Sequence, residues 1–155
     1  MNMTRMMAMK ISISRQKGVA LVEFALILPW LLILTFITTE FSRALFQYNI
    51  LTKSVRDAAR YLSVYNPGDT SKFPIAKNLV VYGNPSGSGL PLVIGLTTSL
   101  VPNPVWQTAG TGPVINTVTI RVTGYVFRPL FASVFNVSFG NLAYADISAT
   151  MRAPL

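Results

Sequence analysis

Two groups near the start of the chain are spaced to act on one another. Gly18 and Val19 mark the boundary between a basic segment and an apolar one, and Glu23 is the single carboxylate in the first apolar stretch. Scission between Gly18 and Val19 places an α-amino group on Val19. On a helix that amine lies about one turn from the Glu23 carboxylate. It can be neutralised by Glu23 of the same chain or of a neighbouring one. In a low-dielectric bundle such a pair favours one axial stagger, because other registers leave charges unpaired. The chemistry expected is therefore processing followed by a registry contact. A charged group inside an apolar helix costs about 2.5–3.5 kcal/mol on insertion scales and usually marks function. The plainer alternative puts Glu23 close enough to the interface to stay hydrated.

The surroundings suit processing. Residues 1–18 carry Arg5, Lys10, Arg15 and Lys17 and no acid, so a cut after Gly18 lowers the formal charge from +8 to +4. A glycine ahead of a helix offers a peptidase an accessible, extended backbone. Residues 19–39, VALVEFALILPWLLILTFITT, are almost wholly apolar, and about 20 such residues span a bilayer core. The run exceeds the roughly 7–15 residues of a secretory h-region, and no A-x-A-like site follows it, so a retained anchor is expected. Counting Lys and Arg puts the N-terminus inside, opposed by Arg43, Lys53 and Arg56 beyond the span. Pro29 lies within the span, where membrane helices tolerate proline. Two readings of it stand: a simple kink, or a local melt that lets subunits repack.

The helical pattern continues past the membrane face. Phe41, Ala44 or Leu45, Tyr48, Leu51 or Thr52, Val55, Ala58 or Ala59, and Leu62 recur at spacings of three and four. Glu40–Arg43, Lys53–Asp57 and Asp57–Arg60 stand at helical pair spacings. Asn66-Pro67-Gly68 ends the pattern, which predicts one helix from about Val19 to about Tyr65. The segment 66–116 is rich in turn formers, with a short helix expected around Phe73–Leu79 and short strands at Val80–Tyr82 and Leu92–Leu96. A glycine-rich surface loop, Gly83 to Gly89, separates the two strands. Residues 117–123 alternate strictly, a half-buried strand with Val118, Ile120 and Val122 inward. Gly124 is a candidate bulge that re-aims Tyr125 and Phe127. Leu142 to Met151 reads as the last strand, with Ala143, Ala145, Ile147, Ala149 and Met151 on one face.

The fold class expected is α+β and pilin-like. A long N-terminal helix, transmembrane in its first half and amphipathic in its second, packs on a small C-terminal antiparallel sheet. The divisions are 1–18 (cytoplasmic leader), 19–39 (transmembrane helix), 40–65 (amphipathic extension) and 66–155 (a periplasmic α+β domain).

Composition excludes several functions. Charged residues make up 12% against about 25% in soluble domains, which favours a membrane class. No basic stripe interleaved with aromatics follows the leader, so nucleic acid is not an expected partner. The chain has no Cys and no His, which removes the usual zinc sites, thiolate chemistry and the commonest general base. No metal, no cofactor and no catalytic residue is expected. Ser14 and Lys17 stand at a serine–lysine spacing but lie in the leader. Gly83–Gly89 lacks the lysine and the strand–loop–helix of a phosphate loop. Asp69 belongs to a turn and Asp146 to a solvent-facing strand position. Trp106 is either a core plug or an exposed contact.

Lys17-Gly18-Val19-Ala20-Leu21-Val22-Glu23-Phe24 resembles a prepilin processing site, Gly/x-x-x-x-Glu-Phe. Together with Pro29, Glu40, Arg43 and Ala58-Ala59-Arg60-Tyr61, the stretch resembles the TadE-like family, pseudopilins of the tight-adherence (Flp, type IVb) pilus machinery. The ending Ala145-Asp146-Ile147-Ser148-Ala149-Thr150-Met151-Arg152 is similar to that family's closing strand. The middle of the chain matches loosely. The resemblance implies cleavage by a dedicated prepilin peptidase at Gly18–Val19, with Arg15 and Lys17 in the leader and Glu23 and Phe24 in recognition or assembly. It implies residence in the bacterial inner membrane, the C-terminal domain periplasmic. It further implies partners among other pilins or pseudopilins, the inner-membrane assembly platform and membrane lipid, with Glu40, Arg43 and Arg60 as helix-face contacts. Many family members carry cysteines in the outer domain; this chain holds together by packing alone. Major Flp pilins are much shorter, so a minor component is expected. The competing reading is an uncleaved membrane-anchored periplasmic binding or secretion-accessory module, and a third is a membrane-tethered hydrolase.

Overall fold

The computed structural model describes residues 16–153. Residues 1–15, Arg15 among them, lie outside the described residues, and of Lys17 the backbone alone is described. One helix dominates: α1 runs Gln16–Leu62, 47 residues, about 70 Å at a rise of about 1.5 Å per residue. It continues through Pro29 without interruption, and it ends three residues before the expected limit. Ser63 N–H still donates to the Ala59 carbonyl and Tyr65 N–H to that of Leu62, closing the last turn before Pro67. The apolar window of α1 is unburied along its whole length. The C-terminal half supplies the core, with Leu51, Val55, Ala58, Ala59 and Leu62 fully enclosed.

The amphipathic face is narrower than the periodicity suggests. Phe41 and Leu45 are exposed, because the domain meets α1 there through Glu40, Ala44 and Gln47; Tyr48, also exposed, sets its ring edge-on against Tyr144 with centroids 5.6 Å apart. Glu40–Arg43 is the one salt bridge among the described residues. The expected Lys53–Asp57 and Asp57–Arg60 pairs do not form, as is common for exposed ion pairs whose gain barely exceeds side-chain entropy.

After the turn at 66–69, where Asp69 Oδ1 accepts the Ser71 N–H at 2.8 Å, α2 spans Phe73–Tyr82 with Pro74 in its first turn. The hydrogen bonds from Ser71 hold the Asp69 carboxyl below the usual carboxylate range. The strand expected at Val80–Tyr82 is the last turn of α2. Ala76, Val80 and Val81 are buried on one helical face, and Gly83 ends the helix in the left-handed conformation. The strand expected at Leu92–Leu96 is a bend and a turn that bury Val93 and Leu96 and leave Ile94 out. Gly95, at φ +85°, makes that reversal. The 83–89 loop is a surface loop organised by Asn84, whose amide donates to the Ser88 carbonyl at 2.8 Å.

The main sheet has three antiparallel strands in the order β1 (Val105–Ala109), β2 (Ile115–Val122), β7 (Ile147–Arg152). Trp106 faces Val118 across β1–β2, and Ile120 faces Ala149 across β2–β7. Val118, Ile120 and Val122 are buried, and both β2 and β7 pack on α1. Trp106 is half-buried against the core, a plug rather than a free contact.

Gly124, at φ +67°, is not a bulge within a ladder. It turns the chain out of β2 into the short strand β3 (Val126–Phe127), and Tyr125 and Phe127 then both face inward. The last strand is also not continuous. Leu142–Ala143 (β6) pairs with β3, residues 144–146 leave the ladder, and β7 begins at Ile147. That break reverses the alternation: Ala143 and Ala145 are exposed while Tyr144 turns in. Between β3 and β6 a small hairpin, β4 (Ser133–Val134) and β5 (Val137–Ser138), stands apart.

Candidate processing and assembly site

Gly18, Val19, Val22, Glu23 and Leu26 share one face at the start of α1. The face is exposed along with Phe24, which is 57% accessible. Among the described residues, a Cβ added at Gly18 meets no atom within 4 Å. The Glu23 side chain has no ion-pair partner among the described residues, so in a single copy it is available to another chain. Gly18 itself is helical, the third residue of α1, where extended backbone was expected. The first N–H groups of a helix lack intrahelical partners, and glycine is about 1 kcal/mol poorer than alanine in a helix. Unwinding this first turn is therefore inexpensive.

A second cluster, where the domain joins the apolar helix, is built from residues that the periodicity did not bring together. Glu40 is 5% exposed. Its Oε2 pairs with Arg43 Nη1 at 2.6 Å, and its Oε1 accepts the backbone N–H of Leu130 at 3.1 Å, 90 residues away. The Arg43 guanidinium lies over the Phe127 ring, 5.5 Å from its centroid. One turn on, the Tyr125 hydroxyl is 2.8 Å from Gln47 Oε1 and 2.9 Å from the Ile94 carbonyl. The Tyr144 hydroxyl donates to the Ala44 carbonyl. Glu40 and Arg43 are thus paired within their own chain, with the Arg43 side chain still 26% exposed. Arg60 is exposed in the last turn of α1, where a cation complements the helix dipole. An acid and an arginine three residues apart look the same on an exposed or a buried face; only the pairing with Leu130 separates the cases.

These contacts make two checks possible. Glu40→Ala leaves the Leu130 N–H unsatisfied and Arg43 unpaired, at an expected cost of about 1–3 kcal/mol. The figure is kept below that of a fully buried pair because the Arg43 side chain is 26% exposed. Urea unfolding of the full chain in detergent reads this, and a change under about 0.5 kcal/mol contradicts the clasp. Burial pushes the Tyr125 and Tyr144 hydroxyls above their ordinary value of 10.0. A raised folded value means stability present in full below pH 10 and lost as pH rises through that value. Phenolate absorbance and circular dichroism should therefore show these tyrosines ionising together with loss of tertiary structure. Ionisation at the ordinary value with the fold intact contradicts their buried roles.

The described architecture is thus a single helix, apolar and free over its first half, carrying a small α+β domain on its second. Residues 18–60 match the family model described as TadE-like protein. No curated protein and no solved structure matches the chain. The family match covers α1 from the Gly18 boundary through the amphipathic half. The single long apolar helix is consistent with single-pass anchoring in a membrane.

Proposed function

We propose that this protein is a minor pseudopilin of a Flp/type IVb pilus, an assembly subunit and not an enzyme. A prepilin peptidase cuts it between Gly18 and Val19, with the leader on the cytoplasmic side of the inner membrane and the α+β domain in the periplasm. The mature helix then packs laterally against other pilins or pseudopilins at the assembly platform. The observation that carries the reading is the coincidence of three things on one helix: the TadE-like match over 18–60, an apolar window with nothing buried among the described residues, and an exposed Glu23 one turn from Val19 with no ion-pair partner among the described residues. A helix that leaves its apolar half bare needs both lipid and neighbours.

Deleting the chain from its host tests this. Surface pili should disappear while the major pilin stays processed in the membrane, and the wild-type chain should restore them. Pili at normal number and length without the chain contradict the proposal and favour the uncleaved anchored module.

A further inference from the structure

The segment between β3 and β6 exposes apolar side chains. Leu130 is 67% accessible and Phe135 59%, with Phe131 and Val137 also exposed. Residues 128–141 contain no acid, and their one charge is Arg128, which is exposed. The tip of the β4–β5 hairpin is unusual. Phe135 and Asn136 occupy its two turn positions at φ +48° and +67°. Asparagine is common there, but a bulky aromatic in the left-handed region is an outlier.

The position of this segment along α1 decides what it faces. The Phe131 ring lies 4.9 Å from that of Phe36, and Leu130 is tied to Glu40. Phe36 stands three residues inside the apolar span that ends at Thr39, about 5 Å along the axis. Helical side chains lean toward the N-terminus, which takes the ring deeper. Thr35, Thr38 and Thr39 return their hydroxyls to carbonyls four residues earlier, each at 2.8 Å, so this end of the span needs no water. Phe131 therefore sits at the outer boundary of the hydrocarbon, where aromatic side chains collect in membrane proteins.

We propose that the 128–141 segment is a second membrane contact: it lies on the outer leaflet of the membrane that α1 crosses, with Leu130, Phe131 and Phe135 in the acyl boundary and Arg128 at the headgroups. The inference rests on the membrane-anchored reading above. The occupant is lipid rather than another protein because the patch is continuous, through Phe36, with the apolar surface of the span. Two attachments then fix the tilt of the domain against the bilayer, with the Glu40–Leu130 bond as the strut between them.

The chain has no cysteine, so single spin labels can be placed at will. Leu130→Cys and Val137→Cys are compared with Leu31→Cys in the span and Ser86→Cys in the exposed loop. The full chain is reconstituted in vesicles of phosphatidylethanolamine and phosphatidylglycerol. Relaxation by oxygen, which partitions into lipid, is compared with relaxation by a water-soluble nickel chelate. Labels at 130 and 137 should follow the Leu31 label, favouring oxygen over nickel. A water-like reading at either position, with Leu31 still in lipid, overturns the hairpin contact and leaves the span intact. Shielding from both reagents at 130 and 137 overturns it in favour of a protein partner. A water-like reading at Leu31 as well brings down the membrane anchoring itself, and the hairpin contact with it.

Discussion

Glu23→Ala is expected to leave the protein inserted in the membrane and to abolish pilus assembly. Removing a carboxylate from the apolar run relieves the helix of about 2.5–3.5 kcal/mol of insertion cost, so anchoring does not suffer. The fold does not suffer either, since Glu23 is exposed and makes no salt bridge among the described residues. On the proposed reading, what is lost is the partner of the Val19 amine. Once two helices pack and exclude water, an unpaired buried charge costs about 3–5 kcal/mol, roughly a hundred-fold or more in an association constant. Repeated at every contact, that loss is ample to stop assembly. The measurement is a count of surface pili alongside the amount of variant in the membrane fraction. Normal pili with normal membrane levels would remove the registry role.

Gly18→Phe is expected to stop maturation completely. The substitution does not act through the fold, because a side chain at 18 projects into open space and the domain core begins only at Ala44, about seven helical turns later. It acts on whatever must close around the Gly18–Val19 bond. That bond lies in the first turn of α1 and has to unwind and extend to be cut. Phenylalanine both fills the close approach and favours the helix over the extended form relative to glycine. The variant should accumulate at precursor size in the membrane, and pili should be missing for want of a free Val19 amine. A product of mature size contradicts the cut proposed here.

How much of this could be read from residue types alone varied along the chain. The long helix was legible because two signals agreed from end to end, an apolar run of membrane length and then a three-four repeat. Strand β2 was legible from strict alternation, and its inward set of Val118, Ile120 and Val122 is the buried set. The short apolar runs were not. Val80–Tyr82 is as good a strand as a helix end by composition, and what decides is the helix already started at Phe73 with Pro74 in its first turn. Strand β1 was missed because four of its five residues are exposed and two prolines precede it. The last strand breaks at 144–146 so that Tyr144 can reach the Ala44 carbonyl, a long-range hydrogen bond that no local pattern reports. The same holds at the site. Glycine, spacing and a lone acid made the Gly18–Glu23 junction visible. The clasp of Glu40 on Leu130 joins residues 90 apart and exists only in the folded chain.

The central claim is that a processed Val19 amine and Glu23 make this helix an assembly element. Its most direct test is the N-terminal residue and intact mass of the protein recovered from its native membrane, with and without the host's prepilin peptidase. The account predicts a chain beginning at Val19 when the peptidase is present and an uncut precursor when it is absent. An uncut chain in both contradicts it, reduces Gly18 and Glu23 to a coincidence of spacing, and leaves a membrane-anchored periplasmic module in its place.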